Sequence, residues 1–164
     1  MTQTIVVGVD GSDDSFAALA SAADLAAHTG SALSVVFVHE IATGAFVATY
    51  DGIAEHYLEQ TVNELEHTSR ERTFDVLARR PLKWTFDVAL GDPAHELIRA
   101  AITRSASLII VGGRGHSLLG GLVLGSVAQK LVRSSPVSVL VCRHPDVNNG
   151  DRQVREKDSM TPTA

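Results

Sequence analysis

Five short apolar runs alternate with segments of helical periodicity, and that alternation leaves few folds open to this 164-residue chain. The runs are 5–9, 33–39, 84–90, 108–111 and 137–142. The first, Ile5-Val6-Val7-Gly8-Val9, shows no polar alternation, as expected of a strand covered on both faces. From Asp13 to about His28, Phe16, Leu19, Ala20, Ala23 and Ala27 recur at helical spacing, and Gly30 supplies the stop. A long helical pattern from Asp51 to about Leu77 places Ala54, Leu58, Val62 and Leu65 on one face. Asp92-Pro93 reads as an N-cap and first-turn proline for a helix through Arg104, and a further helix spans about Ser126 to Arg133. Strands that alternate with helices are joined by right-handed crossovers. The expected fold class is therefore α/β: a five-stranded parallel sheet with helices on both faces. Such sheets bind ligands at the carboxyl ends of their strands, where the strand order reverses. That directs attention to the loops after Val9, Val38 and Val111.

Composition sets bounds around this frame. The length suits one domain, large enough to bury roughly 70% of its unfolded surface without a disulfide or metal staple. Cys142 is the sole cysteine and has no internal disulfide partner, which fits a reducing compartment. A net charge of −5 argues against nucleic acid as a partner, since phosphate backbones need a basic patch. The N-terminus enters its first apolar run without a positive segment, and no apolar stretch approaches the ~20 residues needed to cross a bilayer. The expectation is a cytoplasmic protein with no membrane partner. Composition shifts once, near Pro145, so residues 1–144 form the expected domain and 145–164 an expected disordered tail.

Residues 111–126 hold six of the chain's 13 glycines. Glycine lets a ligand approach the backbone, and Ser126 opens a helix whose first amides suit a phosphate. Two familiar phosphate loops fail here. Gly120 to Gly125 has Walker A spacing, but Ser126 stands where the lysine belongs. A dinucleotide fingerprint from Gly113 and Gly115 would need glycine at Leu118, directly after the first strand. What the loop does contain is Gly112-x2-Gly115-x9-Gly125-Ser126.

With that spacing the chain resembles the universal stress protein family, in its ATP-binding subgroup. Val9-Asp10-Gly11-Ser12, Val38-His39 and Ser135-Pro136-Val137-Ser138-Val139-Leu140-Val141 extend the resemblance from about Thr4 to Arg143. It implies a Rossmann-like sandwich of the adenine nucleotide alpha hydrolase type that holds ATP, with magnesium, in a cleft. By this resemblance Asp10 meets the ribose and the backbone of Glu40 the adenine edge. The backbone of Gly112, Arg114, Gly115 and Gly125, the Ser126 hydroxyl and the Val127 amide hold the phosphates. Val9 and Val111, closing their strands, complete the set.

The resemblance implies a nucleotide-dependent regulator in stress adaptation. Hydrolysis needs a positioned water, a base and charge neutralisation. The loop offers amides and Arg114 but no evident base, so no enzyme is expected. A slow ATPase, or a family member that binds cyclic AMP, is the alternative. Other roles stay open for the same residues. Asp10-Gly11-Ser12 is also ordinary turn chemistry, and the glycines with Ser126 also serve as a helix cap. His39 reads as a hydrogen-bonded strand end, and His116 lies within the loop. The remaining histidines lack ligand spacing, so no metal site is expected. Asp10, Asp13 and Asp14 together mimic the acidic pocket of a phosphoryl-accepting receiver domain. That reading also needs a strand-end Asp and a lysine, where this chain has Asp87 within its strand and Arg143. Val137, Val139 and Val141 share one face of the last strand. If that strand is the sheet's edge, a homodimer through Val137–Cys142 is expected.

Overall fold

The computed structural model describes residues 3–40, 53–114 and 124–144. Among the described residues, strands β1 (Thr4–Val9), β2 (Ala32–His39), β3 (Trp84–Leu90), β4 (Ala106–Gly112) and β5 (Ser138–Cys142) alternate with four helices. These are α1 (Asp13–Thr29), α2 (Ile53–Leu77), α3 (Pro93–Thr103) and α4 (Ser126–Ser134). The strands form one sheet in the order β3-β2-β1-β4-β5, every pair parallel. The expected five-stranded parallel sheet is present. Its order reverses between β1 and β4.

Both faces of β1 are buried, which is why its sequence shows no alternation. Ile5, Val7 and Val9 pack with Leu33, Val35 and Phe37 of β2 under α1 and Leu77 of α2. Val6 lies on the other face with Ile109 and Val111 of β4, covered by Leu97 of α3 and Leu131 of α4. The result is a three-layer sandwich. Burying each of these side chains is worth roughly 1.5–3 kcal/mol, more than the ~1 kcal/mol of a helix cap. The two apolar layers therefore decide the fold, and the caps fix where its helices begin.

The caps are well defined. The Ser12 hydroxyl accepts the Ser15 amide at the start of α1, and Gly30 closes that helix with φ 68°. Asp92 caps α3 by accepting the His95 amide at 2.9 Å, and also receives Lys130 Nζ of α4 at 2.7 Å. Those bonds hold the Asp92 carboxyl below its ordinary pKa, the Lys130 contact first among the causes.

Element ends differ from the sequence reading by small, explicable amounts. β4 is longer than the apolar run 108–111: Ala106 pairs with Thr4 across a register shift, and Gly112 pairs with Cys142. β5 starts at Ser138 rather than Val137 because the Val137 amide donates to Ser135 Oγ at 3.2 Å. The expected helix start at Asp51 and the tail from Pro145 lie outside the described residues. Among the described residues, no helix is long and apolar enough to cross a membrane.

Candidate functional site

The reversal of strand order between β1 and β4 brings the chain leaving the two strands, singled out by sequence, into contact. After β1, Asp10 Oδ1 accepts the Ser12 amide at 3.0 Å and the Ser12 hydroxyl at 2.6 Å. Ser12 Oγ also stands 3.3 Å from the Arg114 carbonyl, past the end of β4. Among the described residues the side-chain hydrogen bonds of Asp10 all fall on Oδ1, so Oδ2 remains to accept from a ligand. Arg72 of α2 steadies this turn from outside. Its guanidinium stacks 3.8 Å from the Phe16 ring centroid and lies 3.5 Å from Asp13.

The second loop is pinned at both ends by Gly113. The Gly113 amide donates to the Cys142 carbonyl at 2.6 Å, and its own carbonyl accepts the Gly125 amide at 2.7 Å. Gly125 is the N-cap of α4 and brings no side chain to cap it. The first amides of that helix, at Ser126, Val127 and Ala128, therefore have no capping oxygen from Gly125. Ser126 is exposed, while Val127 packs its side chain on the β4–α4 core.

Gly112 has a reason of its own. A Cβ there would lie 2.7 Å from the Asp14 carbonyl carbon and 2.7 Å from the Ser15 nitrogen, both backbone atoms. The first turn of α1 and the end of β4 approach too closely for any other residue. That approach delivers Asp14, 6% exposed, to the loop. Asp14 Oδ2 accepts the Arg114 amide at 2.9 Å and Arg114 Nε at 3.4 Å, and Oδ1 accepts the His144 amide at 2.9 Å.

The expected site residues thus fall into distinct positions. Val9 and Val111, each 4% exposed, are core residues that set where the loops begin. Asp10, Gly112 and Arg114 meet at the reversal, and Gly125, Ser126 and Val127 form the helix start beside it. The Arg114 and Gly125 amides are already paired within the protein, which leaves, among the described residues, the uncapped amides of Ser126, Val127 and Ala128 at the start of α4. Glu40 directly follows β2, exposed and one strand away. Gly115 and His116 lie outside the described residues. Sequence reasoning missed Gly113 and the role of Asp14. A signal for the latter was present: Asp14 continues the buried stripe of Ala18 and Ala22, where a charge is out of place.

The receiver-like reading does not match the geometry. Asp10 turns to Ser12, Asp13 to Arg72 and Asp14 to Arg114 and His144, so the three carboxylates share no pocket. Asp87 is taken up by Arg104 at 2.8 Å. Among the described residues, no cluster of three or more His, Cys, Asp or Glu side chains is arranged to hold a metal ion.

His39 closes β2 with its ring 2.6 Å from Glu66 Oε2 of α2, and Arg70 reaches the other oxygen at 3.0 Å. An ionised carboxylate only accepts, so His39 Nε2 carries the proton of this bond. The His39 hydrogen bond, aided by Arg70 and opposed by burial, holds the Glu66 carboxyl below its ordinary value. A depressed carboxyl stabilises the fold above its unfolded pKa, about 4.3, and loses that contribution as pH falls through the folded value. Denaturant melts should therefore show Glu66→Gln less stable than wild type at pH 7, with the gap closing toward pH 3. A gap independent of pH would mean that the charge on Glu66 contributes nothing to stability.

A parallel sheet whose strand order reverses between β1 and β4, with the turn after β1 in contact with the chain leaving β4, defines a Rossmann-like fold. The sequence profile of the universal stress protein family matches residues 1–143, and the chain belongs to that family. It is 32% identical over 148 residues to universal stress protein YxiE of Bacillus subtilis, covering 87% of this chain and 100% of that one. The universal stress protein UspA of Lactobacillus plantarum has the same fold. It superposes with TM-score 0.71 at 21% identity, covering 86% of this chain and 97% of that one. A universal stress protein solved in complex with cAMP superposes with TM-score 0.57 at 25% identity, covering 87% of this chain and 97% of that one.

Proposed function

We propose that this protein binds an adenine nucleotide at the switch point and acts as a nucleotide-dependent regulator in stress adaptation, without rapid turnover. The observation that carries this reading is the contact between the Asp10–Ser12 turn and Arg114, which sets a carboxylate beside the glycine loop. Carboxylates accept from sugar hydroxyls, and uncapped helix amides with a neighbouring hydroxyl suit phosphate oxygens. Asp10 Oδ2 would take the ribose, while Ser126 and Val127 would hold the phosphates. Magnesium would arrive with the phosphates of ATP as part of the ligand.

The cAMP complex of the relative adds cyclic AMP as a second candidate, since both ligands present adenine, ribose and phosphate. Calorimetric titration of the full chain with ATP–Mg²⁺ and with cAMP, and GTP as control, separates them. Saturable binding of one adenine nucleotide per chain is expected. No heat from either up to millimolar concentration would remove the nucleotide reading while leaving the fold. Bound ATP should be recovered intact after single-turnover incubation; stoichiometric ADP would make the protein a slow ATPase.

A homodimer through β5 belongs to the same proposal. The strand lies at the sheet's edge, and among the described residues it pairs only with β4. Val139 and Val141 of the strand, with Val137 just before it, however, pack inward against the α3–α4 layer. The features left for a partner are the open backbone edge and Leu140, 41% exposed. Sedimentation that gives a monomer mass at every concentration would exclude this assembly.

A further inference from the structure

We propose that Asp14 is the positioning residue for the phosphate end of the site, and that it ties the glycine loop to the chain leaving β5. The proposal rests on the nucleotide reading above for its ligand and on the hydrogen-bond pattern for the tie.

The Asp14 carboxylate is 7% exposed and stands on the helix face that otherwise carries Ala18 and Ala22 into the core. A buried carboxylate persists only where donors replace its water. Among the described residues its three donors come from other parts of the chain, about a hundred residues or more away: the Arg114 amide, Arg114 Nε and the His144 amide. One side chain thus fixes the first residue after the Gly112-Gly113 pair and the second residue after β5. Gly112 makes this possible, because its missing side chain lets the turn that carries Asp14 close on β4. With its amide held by Asp14, Arg114 keeps its carbonyl toward Ser12, so the acidic turn and the loop stay in register. Asp14 needs no contact with the ligand to do this.

Asparagine cannot replace it fully. Its amide nitrogen would face an N–H donor whichever way the group is turned, so Asp14→Asn keeps either Arg114 or His144 but not both. The test combines amide hydrogen exchange by NMR with calorimetry on the full-length chain. In Asp14→Ala the Arg114 and His144 amides should both exchange faster, while the β1 amides stay slow. In Asp14→Asn only one of the two should speed up, and this milder variant keeps the test open if alanine compromises folding. Affinity for ATP should fall about tenfold, a 1.4 kcal/mol change, with adenosine affinity unchanged, because adenosine lacks the phosphates. Unaltered exchange at both amides would overturn the tie. An equal loss of ATP and adenosine binding would overturn the positioning role and leave Asp14 a core residue. Wild-type protein that takes no adenine nucleotide would overturn the nucleotide reading and the positioning role with it; exchange at Arg114 and His144 would still decide the tie.

Discussion

Gly112→Ala should destabilise the protein by about 1–3 kcal/mol and remove most of its nucleotide affinity at the same time. One methyl group is enough because its nearest neighbours are the backbone of Asp14 and Ser15, 2.7 Å away, and backbone has no rotamer with which to yield. Either α1 moves off β4 or the loop after β4 moves off α1. In both cases Arg114 loses its register with Ser12 and Asp14. For a chain of this size each kcal/mol lowers the melting temperature by roughly 2–4 °C. Thermal melts and ATP titration should therefore both respond. A variant that melts like wild type and binds like wild type would show that the helix and strand can separate at no cost. Retained binding with a lowered melting temperature would mean that the close approach serves packing alone.

Asp10→Ala should weaken binding of every ligand that carries a ribose, by about tenfold or more, while the free base is unaffected. A hydrogen bond to a charged group is worth roughly 1.5–3 kcal/mol, which sets that scale. Alanine also removes the acceptor for the Ser12 amide and hydroxyl, so some loss of stability accompanies it. Asp10→Asn controls for this: its remaining oxygen keeps the turn, and its amide replaces only the oxygen left for the ligand. The expected signature is opposite to that of Asp14. Adenosine and ATP should lose affinity together in Asp10→Ala, and only ATP in Asp14→Ala. Undiminished adenosine binding in Asp10→Ala would remove the ribose assignment.

Much of this was legible before any coordinates. The apolar runs, the Asp92-Pro93 cap and the concentration of glycines between Val111 and Ser126 set the strand count, the helices and the region of the site. These are local signals, carried by residues close together in sequence. What escaped reading was long-range. Gly112 looked like ligand-facing backbone, yet its missing Cβ is demanded by Asp14 and Ser15, nearly a hundred positions earlier. Asp14 looked like one of three clustered acids, yet its partners are Arg114 and His144. No periodicity encodes such a meeting, because it exists only once β1 and β4 lie side by side. The start of β5 escaped for a smaller reason: a serine hydroxyl takes the Val137 amide, which composition does not reveal.

That serine also limits what the outer edge of the sheet can offer. With β5 cut to five residues, the open edge is about 17 Å long at 3.3–3.4 Å per residue. Two such edges zipped together exchange only a few main-chain hydrogen bonds, and a stable pairing of proteins buries on the order of 1,600 Å². Most of that area must come from side chains, and Leu140 is the exposed apolar group that the strand itself offers. Assembly along this edge should therefore depend on side-chain fit rather than on backbone pairing, and a single polar replacement at Leu140 should dissolve it.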